Sequence, residues 1–160
     1  MVRQSRFPLP EKTMFKKILV PTDGSPLSDK AVKAAIEFAR TTECELVTLC
    51  VAEPYVYSAL VEGSGIYPMD SAVYDEKAQE YAQHNVDKAV ALAQAAGIKC
   101  KATVALSFSP YEEIVRAAEQ NNCDGIFMAS HGRKGLNKLF VGSETQKVLA
   151  HSTLPVLVFR

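Results

Sequence analysis

From Glu45 to Ala52 the chain reads Glu-Leu-Val-Thr-Leu-Cys-Val-Ala, almost unbroken in apolar residues. A strand with one wet face would alternate apolar and polar residues; a continuous run needs cover on both faces, as a strand in a parallel sheet between helical layers has. The segments around it supply that cover. Phe15 to Pro21 is a first strand, charged at its mouth and stopped by a proline that cannot donate to a ladder. Ser25 then offers a helix N-cap with Pro26 at the first helical position, and Val32, Ala35, Ile36 and Ala39 repeat at helical spacing. Ser71 to Ala96 predicts a long helix with an alanine and valine stripe (Ala82, Val86, Ala89, Ala93, Ala96), ended by Gly97.

Ile98 to Leu106 is a third strand. Ser109-Pro110-Tyr111-Glu112 has the form of a capping box opening a helix whose buried stripe is Tyr111, Ile114, Val115 and Ala118. A short buried strand at Ile126 to Met128, a helix burying Val148 and Leu149, and a last strand from Leu154 to Phe159 complete the chain. Strands and helices alternate throughout, and right-handed crossovers between parallel strands bury such a pattern economically. The expected fold is α/β: a single-domain, doubly wound, five-stranded parallel sheet of Rossmann-like type with strand order 3-2-1-4-5. Residues 1–14, with Arg3, Arg6, Pro8 and Pro10 and no periodicity, read as a flexible leader, and residues 15–160 as the folded domain. Tyr55 to Asp70, with two glycines, a proline and three tyrosines, reads as a long loop over a site or partner surface.

Eighteen basic residues balance eighteen acidic ones, so a general electrostatic attraction to nucleic acid or an anionic membrane is not supported, and any anion site must be local. Membrane insertion is not expected either, since no apolar stretch approaches the roughly 20 residues of a span. The four cysteines, Cys44, Cys50, Cys100 and Cys123, form no C-x-x-C pair and lie in or beside strands, where a reduced thiol packs as a small hydrophobe. A cytoplasmic protein is expected.

In an open α/β sheet ligands bind outside the carboxyl ends of strands, where the strand order reverses. Two loops leave such ends: Thr22-Asp23-Gly24-Ser25, and the glycine-bounded basic run from Ala129 to Ser143 with Arg133, Lys134 and Lys138. If the first and fourth strands are neighbours, these loops converge. A helix opening at Gly142-Ser143 turns unpaired amides and about half a positive charge toward the loop, a setting that suits phosphate. Plainer readings stand beside this one. Ser143-x-x-Gln146 fits a capping box, Asp23 before Gly24 fits a turn that caps its own amides, and the basic residues fit a solvated loop. His84, His131 and His151 lack the spacing of a zinc site; His131 can touch a ligand or simply pack. No nucleophile elbow and no G-x-x-x-x-G-K-[ST] loop is present, so strong hydrolysis is not indicated.

With Pro21-Thr22-Asp23-Gly24-Ser25 after the first strand, Ser130-His131-Gly132 nine residues before Gly142-Ser143, and Leu154-Pro155-Val156-Leu157-Val158 at the end, the chain resembles the universal stress protein family in its ATP-binding branch. The resemblance runs from Phe15 to Arg160. The family's motif is glycine, two residues, glycine, nine residues, glycine, then serine or threonine; here Ala129 stands at the first position, while Gly132, Gly142 and Ser143 match. Cys50-Val51 stands where a histidine-valine pair is common.

The resemblance implies an adenine nucleotide, ATP or else ADP or AMP, with magnesium. It implies that Asp23, following Pro21 and Thr22, faces the ribose or a phosphate-bound metal, and that Val51 flanks the adenine. Ala129, His131, Gly132, Arg133, Gly142, Ser143, Glu144 and Thr145 would line the phosphate side, largely through backbone amides. It also implies a homodimer through the last strand, at Val156, Leu157 and Val158. The expected function is ATP-dependent regulation in a stress response, with an unidentified protein partner. The alternatives are a nucleotide-free dimerising adaptor of the same fold and a slow magnesium-dependent ATPase.

Overall fold

The computed structural model describes residues 14–56, 71–133 and 141–160. The expected leader apart from Met14, the long loop beyond Val56, and Lys134 and Lys138 lie outside the described residues. The elements run β1 (Lys17–Pro21), α1 (Pro26–Thr42), β2 (Glu45–Ala52), α2 (Ser71–Ala95), β3 (Cys100–Leu106), α3 (Pro110–Gln120), β4 (Gly125–Ala129), α4 (Ser143–His151) and β5 (Val156–Phe159). All five strands are parallel, in the order β3-β2-β1-β4-β5. The chain order reverses between β1 and β4, as expected. No helix among the described residues is long and apolar enough to cross a membrane.

Strand periodicity divides the core in two. Ile18, Val20, Leu46 and Phe127 point to the face covered by α1 and α2, where they meet Val32, Ala35, Ile36, Ala39, Ala89 and Ala93. Leu19, Val47, Leu49, Ile126 and Met128 point to the other face, against Ile114, Ala117 and Ala118 of α3 and Val148 of α4. Each large apolar side chain buried this way contributes about 1.5–3 kcal/mol, whereas an exposed ion pair such as Lys88 to Asp29, which ties α2 to α1, contributes roughly 0–1 kcal/mol. The sheet core therefore dominates stability. Two contacts set the register at the amino ends of the central strands. The Asp124 carboxylate accepts the amides of Lys16 and Lys17 at 2.6 and 2.9 Å. Phe15 lies over Gly125, so closely that a Cβ there would stand 2.7 Å from its ring, and joins Phe38 and Phe127 in an edge-on aromatic cluster. Phe15 thus packs against the core, and the strand begins only at Lys17.

Two helix starts depart from the sequence reading. Ser109 sits at the N-cap of α3 but its hydroxyl makes no cap bond. Glu144, from α4, accepts the Tyr111 amide at 2.9 Å instead, so one helix caps another across the layer. The N-cap of α4 is Gly142, and Ser143 is already the first helical residue. The expected box with Gln146 does not form: the Gln146 side chain donates to the Val141 carbonyl at 2.6 Å.

Candidate functional site

The site grows out of the carboxyl ends of β1 and β4. Beyond Pro21, the last residue of β1, the Thr22 amide donates to the Leu49 carbonyl of β2 at 2.8 Å, carrying the ladder one residue past the strand. Thr22 is buried, and its hydroxyl meets that of Ser28 at 3.2 Å and accepts the Gly24 amide at 3.3 Å. Gly24 takes φ of +76°, a left-handed turn that glycine adopts without strain. Ser25 then caps α1 as expected, accepting the Ser28 amide at 3.2 Å.

Past β4, the Ala129 carbonyl accepts the hydroxyl of Thr145, which is 3% exposed, at 3.0 Å; this bond fastens α4 to the end of the strand. The Ser130 carbonyl accepts the Gly142 amide at 2.7 Å, so the chain that leaves β4 returns to its starting point before α4 begins. A Cβ at Gly142 would lie 3.1 Å from the His131 Cα and 3.2 Å from the Ser130 oxygen, too tight for comfortable packing. His131 shares a hydrogen bond between its Nδ1 and the Ser130 hydroxyl at 3.0 Å.

Asp23 joins the two ends. One carboxylate oxygen accepts the Ser25 amide at 3.0 Å and the other the Arg133 amide at 2.6 Å. A Cβ at Gly132 would come within 2.5 Å of that second oxygen, so glycine there is a condition of the contact. Burial pushes the Asp23 carboxyl up, but hydrogen bonds from the Ser25 side chain and amide, the Arg133 amide and Ser28 outweigh it and hold the pKa below its ordinary value. The carboxylate stays ionised between the loops. Its capping role, one of the two readings of the sequence, is thus realised, and the same bonds place it at the crossing of the two turns.

The remaining expected residues divide between backbone and side-chain roles. Val51, half-buried at the end of β2 opposite Ala105, lies two residues beyond the Leu49 carbonyl that Thr22 contacts. Ser143 and Glu144 open α4, so their amides belong to its first turn, which has no helical acceptors. The Glu144 side chain points elsewhere, to the Tyr111 amide and to Lys147 Nζ at 2.7 Å. The Arg133 guanidinium likewise leaves the glycine loop and lies over the ring of Tyr81 in α2, 4.8 Å from its centroid. Tyr81 and Asn85 were not legible as neighbours of the site. Asn85, 6% exposed beside the apolar stripe of α2, packs against Gly24, and the only sequence signal was a buried-face position occupied by an amide. Among the described residues no group of three or more His, Cys, Asp or Glu side chains could hold a metal ion by itself.

The chain matches the universal stress protein family over residues 14–160. It is 32% identical to universal stress protein MJ0531 of Methanocaldococcus jannaschii over 93% of this chain and 84% of that one. The solved structure of protein MJ0577 superposes with a TM-score of 0.74 at 30% identity, covering 91% of this chain and 96% of that one. The same organism's MJ0577 is a curated universal stress protein, 31% identical over 92% of this chain and 96% of that one. A universal stress protein solved in complex with cAMP has the same fold, with a TM-score of 0.66 at 20% identity over 92% of this chain and 98% of that one. With its sheet order, its paired turns and these matches in agreement, the chain belongs to the universal stress protein family.

Proposed function

We propose that this stress-response family member binds an adenine nucleotide, ATP or else ADP or AMP, in the crevice between the β1 and β4 turns, and that occupancy regulates its contact with a protein partner. One observation carries the reading: Asp23 and the Arg133 amide, 110 positions apart, meet at 2.6 Å, which brings both turns together at the switch point of the sheet. The cAMP complex of a protein with this fold supports the choice of ligand class.

In this reading Pro21, Thr22, Asp23 and Val51 flank base and ribose. Ala129, His131, Gly132, Gly142, Ser143 and Thr145 shape the phosphate side, with the backbone of Glu144, and the first-turn amides of α4 supply the donors. Arg133 adds a guanidinium. The donor set fits magnesium only as a companion of the phosphates. Asp23 is a single carboxylate with both oxygens already accepting amides, so phosphate oxygens and waters would complete the shell, which suits a hard cation that keeps its waters. Bound there, magnesium would neutralise phosphate charge. The proposal places the protein in the cytoplasm, where its four free thiols stay reduced, and makes it a homodimer through β5.

Calorimetric titration with ATP tests the reading. The wild-type protein should bind, and Gly142→Leu should lose at least about tenfold in affinity while keeping its far-ultraviolet dichroism and cooperative melting, because the added side chain collides with His131 and Ser130 outside the sheet core. Equal affinity in the variant would remove the loop from the site, and absence of binding in the wild type would remove the nucleotide.

A further inference from the structure

Helix α2 contributes nothing to the glycine motif, yet two of its residues reach the two turns. Asn85 presses so closely on the first turn that a Cβ at Gly24 would fall 2.5 Å from its Oδ1. Four positions earlier, on the same helical face, Tyr81 carries the Arg133 guanidinium from the second turn. The direction of that side chain matters. Its main chain is fixed at Asp23, between β1 and β4, while α2 packs on the other side of β1, against β2 and β3. The guanidinium therefore lies on the side of α2, which packs on the opposite face of the sheet from α4. Cys50, on β2, has the Asn85 side-chain amide 3.9 Å from its sulfur; burial pushes its thiol up, and that amide and the Arg133 charge act against the shift.

Tyr81 is 44% exposed, so the contact is a wet one. A cation over a tyrosine at such a site is a weak hold compared with the two-pronged hydrogen bonding of guanidinium to phosphate. We propose that Tyr81 is a specificity-determining residue of the site: it keeps Arg133 over its ring until a phosphate draws the guanidinium off, and so limits the preference for phosphorylated nucleotide over bare nucleoside. The inference rests on the nucleotide reading and adds to it a residue outside the motif and a competition within the protein. Phosphate must displace an aromatic ring to gain Arg133, whereas adenosine gains nothing from displacing it.

The test compares ATP and adenosine by calorimetry across a Tyr81 series. Tyr81→Ala removes the competitor, and ATP affinity should rise about two- to fivefold with adenosine affinity unchanged. Tyr81→Phe keeps a ring and should match the wild type. Tyr81→Trp, a stronger partner for a cation, should lower ATP affinity, and it places a single indole in a chain that has no tryptophan. Its emission should change on adding ATP and stay constant on adding adenosine, and in Tyr81→Trp with Arg133→Met the ATP response should vanish. An ATP-to-adenosine ratio that stays level or falls in Tyr81→Ala, with ATP still bound by the wild type, would overturn the role of Tyr81 alone. A wild type that binds no ATP would overturn the nucleotide reading and this inference together.

Discussion

Asp23 stands between two demands, since both oxygens serve amides of its own fold and the same carboxylate faces the proposed ligand. The turn role was legible, because Asp before Gly in a loop after a strand is a local pattern. The second bond was not: nothing in a local window links Asp23 to an amide 110 positions away, and only the neighbouring of β1 and β4 brings them together. Tyr81 and Asn85 escaped for the same reason, since a periodicity reading of α2 stops at its alanine and valine stripe. The Asp23 network has a pH signature. Its native pKa lies below the ordinary value of 3.8, so its contribution to stability is fully present above that value and is lost as pH falls through the lowered native one. Asp23→Asn should cost about 1–2 kcal/mol at pH 7, because an amide cannot accept both hydrogen bonds through oxygen, and the gap to wild type should begin to narrow below about pH 4 and shrink further as pH falls through the lowered native pKa. Urea midpoints for both proteins at pH 7, 4 and 3 measure this; a gap constant with pH would show that the charge is irrelevant.

At the scale of elements, strands and helices were readable because burial on both faces leaves a plain signature: β2 emerges with its expected span, and α1 with its expected start and buried stripe. Helix starts were readable only where the cap is local. Ser25 caps α1 because its acceptor and the Ser28 amide are three residues apart. Ser109 and Ser143 each precede a Glu or Gln by three residues, but Glu144 reaches α3 from another helix, and Gly142, tied to Ser130, is the cap of α4. Ser25→Ala should therefore destabilise by about 1 kcal/mol, read as a lower urea midpoint at unchanged slope. Ser143→Ala should leave the midpoint within about 0.5 kcal/mol of wild type. Equal losses in the two would restore the capping box at Ser143.

For the molecule as a whole, the sheet order follows from the way the chain reverses after β3, and among the described residues it leaves β5 paired on one side only, with β4. Leu157 in that strand is 47% exposed while its neighbours Val156 and Val158 are partly covered. An apolar edge of this kind invites pairing with another strand, and the proposed dimer uses a second copy of the same strand. Leu157→Lys places a charge on that edge without touching the core, so sedimentation should show a dimer for the wild type and a monomer for the variant. A wild type that stays monomeric at high concentration would end the dimer proposal.

The bond from the Gly142 amide to the Ser130 carbonyl has a practical consequence for anyone wishing to remodel this scaffold. Because Ser130 and Gly142 are stitched to each other, flexible residues inserted between them would add ring-closure entropy only logarithmically with length, about 0.6 kcal/mol for each doubling. Inserts of various sizes, such as an epitope or a reporter peptide, could be spliced in there at the expense of ligand choice, and the five strands beneath would scarcely register the change.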